Sequence, residues 1–183
     1  MTEFDFDERL TFSKGSRGRC DDDTLMTMIP SAVEIRDGNT EEDKRGIDKV
    51  VRLSSGRTLA VDLKVRDTGA AKWWKTCPDL ALERWSVKPQ NGSQGKVGWT
   101  LDPAKRTDLV LFLFDPAEST DCYLVGFHHL RAAFLRCGKE WWGHYKRAPQ
   151  NTEGRYQSEC VFVPVAIVLD AITAVSEGKL AAS

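Results

Sequence analysis

The chain has no apolar run long enough to cross a membrane. Its longest, Cys160 to Leu169, is about half the roughly 20 residues a span needs, and Pro164 interrupts it. It has no surplus of either charge: 26 Lys and Arg stand against 27 Asp and Glu, a formal net charge of −1. No whole-molecule field therefore draws it to nucleic acid or lipid, and any polyanion site must be a local patch. It has few cysteines. The five, Cys20, Cys77, Cys122, Cys137 and Cys160, form no C-x-x-C pair, which argues against a disulfide framework and a zinc knuckle. They read as buried fillers in a reducing, intracellular compartment. The acidic N-terminus from Met1 to Glu8 lacks the apolar segment of a secretory signal. Repeats, G-x-S-x-G, P-loop and G-x-G-x-x-G motifs are absent, so acyl-transfer and nucleotide-cofactor chemistry lack support.

What is present is ordinary globular material. The 183 residues, 41% hydrophobic and 29% charged, predict a single domain spanning 1–183 around one core. Its core is expected over about 16–126, with a C-terminal helix and strand extension over about 127–183. A short helix is expected between Ser16 and Met28, ending before Pro30, and a strand over Ala32 to Arg36. Ile47 to Leu53 and Thr58 to Arg66 are β-branched and alternating around Ser54-Ser55-Gly56-Arg57, a hairpin signal. Further strands are expected at Leu80 to Ser86, Asp108 to Phe114 and Cys122 to Gly126, with Lys88 to Val97 as a loop. Phe127, Leu130, Phe134 and Cys137 recur at helical spacing. Glu159 to Val163 reads as a late strand and Ala166 to Val175 as a closing helix. This order predicts a mixed α/β sheet covered by helices.

The hairpin carries the chemistry. Side chains alternate along a strand, so Asp62, Lys64 and Arg66 share one face while Leu59, Val61, Leu63 and Val65 share the apolar one. A three-residue loop with Gly56 at the left-handed position pairs Leu53 with Arg57, and this register alone pairs like with like. It sets Val51 against Leu59, Val50 against Ala60 and Ile47 against Leu63, and places Asp48 opposite Asp62. Opposed carboxylates repel. A divalent cation resolves the repulsion, and Mg²⁺ takes one or two carboxylates while keeping room for phosphate oxygens. Lys64, one pleat beyond Asp62, would sit near a metal-bound water and stabilise developing negative charge.

Gly46-Ile47-Asp48, the hairpin and Val61-Asp62-Leu63-Lys64 together resemble the PD-(D/E)xK, or restriction-endonuclease-like, phosphodiesterase superfamily, with Ile47 where proline often stands. The resemblance implies an αβββαβ core with a mixed central sheet flanked by helices. It implies a Mg²⁺-dependent deoxyribonuclease, with Mn²⁺ as a substitute, in which Asp48 and Asp62 bind the metal and Lys64 activates the attacking water. Glu83 is similar to an accessory carboxylate that some members carry on the following strand. Glu8, Asp21, Asp22, Asp23 and Glu34 all compete for an acidic role from the first helix. By analogy, the small size suggests a stand-alone nuclease of phage, mobile-element, repair or defence type. DNA is the expected partner, with RNA, endo- against exonucleolytic action and a homodimer left open. The rival readings are a non-catalytic nucleic-acid- or protein-binding module of the same fold, and a merely solvated strand face.

Elsewhere, His128 and His129 are adjacent and would point about 100° apart on a helix, so with His144 they read as surface histidines rather than metal ligands. Six tryptophans lie among basic residues such as Lys72, Lys75 and Arg84. Most are expected in the core. The crowded segment Lys139 to Arg147 is a candidate nucleic-acid contact through Trp141, Trp142, Lys146 and Arg147. Lys14, Arg17 and Arg19 form a second small basic patch that reads as a solvated loop.

Overall fold

Thr58–Arg66, the longest alternating segment, forms the middle strand of a five-stranded sheet in the computed structural model, which describes residues 22–66, 78–90, 92, 94–114, 122–152 and 156–179. In chain order the elements are α1 (Asp22–Met28), β1 (Ala32–Asp37), α2 (Thr40–Lys44), β2 (Lys49–Leu53), β3 (Thr58–Arg66), β4 (Asp79–Val87) and β5 (Lys96–Val97). There follow β6 (Leu109–Phe114), β7 (Cys122–Gly126), α3 (Phe127–His144), β8 (Arg147–Thr152), β9 (Tyr156–Pro164) and α4 (Val165–Ser176). The protein is mixed α/β. Among the described residues no helix is long and apolar enough to cross a membrane. Expectations at Glu8, Lys14, Arg17, Arg19, Cys20, Asp21, Lys72, Trp73, Trp74, Lys75 and Cys77 lie outside the described residues.

The elements fall into two compact units, one holding residues 22–66, 104–114 and 122–127, the other 78–103 and 128–179. In the first, the strand order is β1-β2-β3-β6-β7, antiparallel throughout except where β6 runs parallel to β3. Its apolar face is the one the alternation predicts. Val61 and Leu63 of β3 pack with Val51, Leu111 and Leu113 beneath Leu25 and Ile29 from α1 and the turn after it.

The hairpin closes as expected. The Leu53 N–H donates to the Arg57 carbonyl at 2.8 Å, and Gly56 sits at φ +83° with open space where a Cβ would be. Val51 pairs with Leu59 and Val50 with Ala60. The ladder then stops one residue short of the expected carboxylate pair, at Lys49 and Val61. The reason is α2, which the strand signals around it hide. Asn39 caps it, accepting from the N–H groups of Glu41 and Glu42 at 3.0 Å, while Glu42 reaches back to the Asn39 N–H at 2.8 Å. The chain leaves the helix through Gly46 at φ +78°, and the Ile47 N–H donates to the Glu42 carbonyl at 3.0 Å. Ile47 is thereby drawn out of the sheet, so neither Ile47 with Leu63 nor Asp48 with Asp62 forms a ladder pair.

The second unit holds the order β5-β4-β9-β8, all antiparallel. Leu80 and Leu82 of β4 are in register with Val163 and Val161 of β9, all fully buried. That match is why 79–97, expected within the core before residue 126, pairs with C-terminal strands instead. The polar strand β8 gave no strand signal, and as an edge it tolerates Pro149. The described part of the connection between β3 and β6 holds β4 and β5 and no helix, where the resemblance implies one.

Two stability effects follow. A Cβ at residue 56 meets no neighbour, so Gly56→Ala should cost about 1–2 kcal/mol through the left-handed backbone alone, read as a lower urea midpoint at unchanged slope. At α2, the two-pronged hydrogen bond from Arg36, 2.8 Å on each prong, helped by the Asn39 N–H, holds the Glu42 carboxyl at about 2. A depressed carboxyl contributes stability above its unfolded value of about 4.3 that is lost as pH falls towards 2. Melting temperatures measured across that window should fall more steeply for the wild type than for Glu42→Gln.

Candidate functional site

Asp62 and Lys64 share the face of β3 opposite the α1 core. That face is not a solvated one. Asp62 is 3% exposed, and on β6 Val110, in register with it, and Phe112, in register with Lys64, are 0% and 1% exposed. An ionised carboxylate is rarely buried without a partner, and here Lys64 Nζ donates to Asp62 Oδ1 at 2.7 Å. The lysine keeps 29% of its side chain exposed while the aspartate keeps 4%, so the acid lies deep and its cation lies towards solvent.

Asp48 reaches the same stretch of β3 by another route. In a continued ladder the Leu63 N–H would donate to the Ile47 carbonyl. With Ile47 withdrawn, Asp48 Oδ2 accepts that N–H instead, at 2.8 Å. Its backbone is fixed from both sides: the Asp48 N–H donates to the Val61 carbonyl at 2.9 Å, and the Gly38 N–H donates to the Asp48 carbonyl at 2.8 Å. Gly38 is required there, because a Cβ would lie 2.1 Å from the Ile47 carbonyl oxygen. The two carboxylates thus meet adjacent residues of one strand, with Asp48 docked on the backbone rather than opposed to Asp62. Among the described residues no group of three or more His, Cys, Asp or Glu side chains is placed to hold a metal ion.

Two of the competing acids, Asp22 and Glu34, are engaged elsewhere. Asp22 and Asp37 lie 2.9 and 2.7 Å from Lys49 Nζ, and Glu34 lies 2.6 Å from Arg52. Burial pulls the Lys49 ammonium down, but hydrogen bonds from it to Asp37 and Asp22 outweigh this and leave it above the ordinary lysine value. That buried lysine was not singled out in the sequence, because its significance depends on the β1–β2 register that sets Asp37 against it.

Glu83 belongs to the second unit. Its Oε2 accepts from the Trp99 N–H at 2.9 Å and the Ser86 hydroxyl at 2.8 Å, clamping the 98–99 loop onto β4. Trp141 corrects the sequence reading: it is 3% exposed, its ring centroid 6.1 Å from that of Phe134, so it is core and presents nothing to a ligand. Trp142 is half-buried with the Arg84 guanidinium 5.1 Å above its ring, and Lys146 and Arg147 are exposed. His128, His129 and His144 are exposed. Cys160 is buried, Cys122 and Cys137 are half-buried, and burial pushes the Cys137 thiol up.

The chain matches no family model, no curated protein and no solved structure.

Lys64→Met removes the described partner of a buried carboxylate. It should lower stability by about 1–3 kcal/mol, and Asp62→Asn added to it should recover most of the loss, a coupling read from urea unfolding of the four proteins.

Proposed function

We propose that the chain is a metal-dependent nuclease that hydrolyses DNA phosphodiester bonds, built on a restriction-endonuclease-like core. The observation that carries this reading is Asp62, buried at 3% exposure on the middle strand of the sheet and hydrogen-bonded to Lys64, whose side chain keeps 29% exposed. A stability role alone would be met as well by an apolar pair, since burying ions costs about as much as their attraction returns. The sheet supports the same reading: three antiparallel strands in chain order after a helix, then a strand parallel to the third.

Asp48 and Asp62 supply hard oxygen donors, and two carboxylates suffice for Mg²⁺ or Mn²⁺. Each carboxylate has about four lone-pair sites, and the bonds to the Leu63 N–H and to Lys64 orient these donors. When bound, the cation supplies Lewis-acid polarisation of the phosphate and lowers the pKa of water. Lys64 Nζ, held by Asp62 Oδ1, is positioned to favour hydroxide at the attacking water and to stabilise negative charge developing on the phosphate. Asp48, held on backbone at three points, stays in place as Lys64 moves between Asp62 and substrate. The second reading is a module that keeps the fold and binds nucleic acid or protein without cutting, in which Asp62 and Lys64 serve as an ion pair only.

Cleavage of plasmid, oligodeoxynucleotide and RNA in EDTA, Mg²⁺ and Mn²⁺ separates the two. The nuclease reading predicts metal-dependent cleavage that falls at least about 100-fold in Asp62→Ala and Lys64→Ala. Binding by wild-type protein with no cleavage in either metal would leave the binding module.

A further inference from the structure

Arg84 fills the irregular position of β4 between Glu83 and Trp85, where the register with β9 shifts by one residue. Its side chain is exposed, with the guanidinium 5.1 Å above the Trp142 ring and 6.0 Å from that of Trp85. A guanidinium over an indole face is attracted to it, and its planar fork of donors can still serve a ligand. Two more cations are close by. The chain leaves α3 just after Trp142 and enters β8 through Lys146 and Arg147, both exposed. Lys146 is fixed by its carbonyl, which accepts the Phe162 N–H at 2.9 Å. Arg147 is in register with Val161, which is in register with Leu82, two residues from Arg84. Two strand spacings separate β8 from β4, about 10 Å. Of the acids nearby on these strands, Glu83 accepts from the Trp99 N–H and the Ser86 hydroxyl, and Glu159, opposite Trp85, is 8% exposed and lies 3.3 Å from Lys88.

We infer that Arg84, lying on Trp142, is a stacking platform for an unpaired base of a single-stranded nucleic acid whose neighbouring phosphates are held by Lys146 and Arg147. Planar stacking selects single strands, because a base inside a duplex has no face to offer. Arg84 is thereby the organising residue of a patch in which Trp141 plays no part. The inference rests on the reading of this chain as a nucleic-acid protein and names the substrate form. Binding measured in EDTA and cleavage measured in Mn²⁺ fail separately.

The test is fluorescence anisotropy of a labelled oligothymidylate of about 16 nucleotides, against a hairpin duplex, in EDTA over a range of salt. Single strand should bind more tightly than duplex. Both Arg84→Ala and Arg84→Lys should weaken single-strand binding at least about fivefold, because lysine keeps the charge but not the plane. The double variant Lys146→Ala/Arg147→Ala should reduce the slope of log affinity against log salt by about 1.4, or about 0.7 per lost phosphate contact. Wild-type affinity in Arg84→Lys would reduce the patch to plain electrostatics and overturn the platform. So would tighter binding to duplex, or no binding to single strand.

Discussion

Because Gly56 takes a left-handed conformation that closes a three-residue loop, Leu53 meets Arg57, and every later pairing of β2 with β3 is counted from that contact. A slip by one residue would turn Val61 and Leu63 away from α1 and press Asp62 and Lys64 into the apolar core. The register also decides what happens at the far end of β2. There α2 takes Ile47 out of the ladder, the Leu63 N–H is left over, and Asp48 accepts it. The position of the first carboxylate is thus a consequence of a helix cap nine residues upstream, at Asn39.

Three of the arrangements of opposite charges among the described residues of the first unit differ in which partner is buried. Arg36 with Glu42 is exposed and serves to cap α2. Lys49 is a buried cation with two acids at least half exposed, a form that ties α1 and β1 to β2. Asp62 with Lys64 reverses this, with the acid buried and the cation nearer solvent. Of these, only the last places the acid inside its cation, on a stretch of β3 that pairs with β6 along one edge and is held by Asp48 along the other, through the Val61 carbonyl and the Leu63 N–H. Rigid support of that kind suits a site more than a surface ion pair, whose contribution to stability is small.

Much of the first sheet was legible because its strands alternate cleanly. Thr58–Arg66 and Cys122–Gly126 fall at the expected bounds, and the chemistry-bearing pair Asp62 and Lys64 lies on one face, as alternation requires. What escaped the sequence depends on contacts made elsewhere. α2 has only five residues, too short for a periodic stripe, and its one signal is Asn39 followed three residues later by Glu42. β8 is polar and forms because β9 offers it a free edge. Trp141 was read by its basic neighbours, whereas its spacing of seven from Phe134 continues the buried stripe of α3, the signal that should have decided it. Glu83 resembles a site carboxylate on its strand position alone, and of the two groups that occupy it the Ser86 hydroxyl comes from its own strand and the Trp99 N–H from a segment the sequence leaves undefined.

The central claim is that Asp48 and Asp62 form one binding site for a divalent cation, and calorimetric titration of Mn²⁺ into the metal-free protein tests it without reference to any substrate. The account predicts saturable binding by the wild type that Asp62→Asn and Asp48→Asn each abolish or weaken at least about tenfold, as expected when one of two charged oxygen donors is lost. Wild-type protein that takes up no Mn²⁺, or binding of equal affinity in all three proteins, would contradict it.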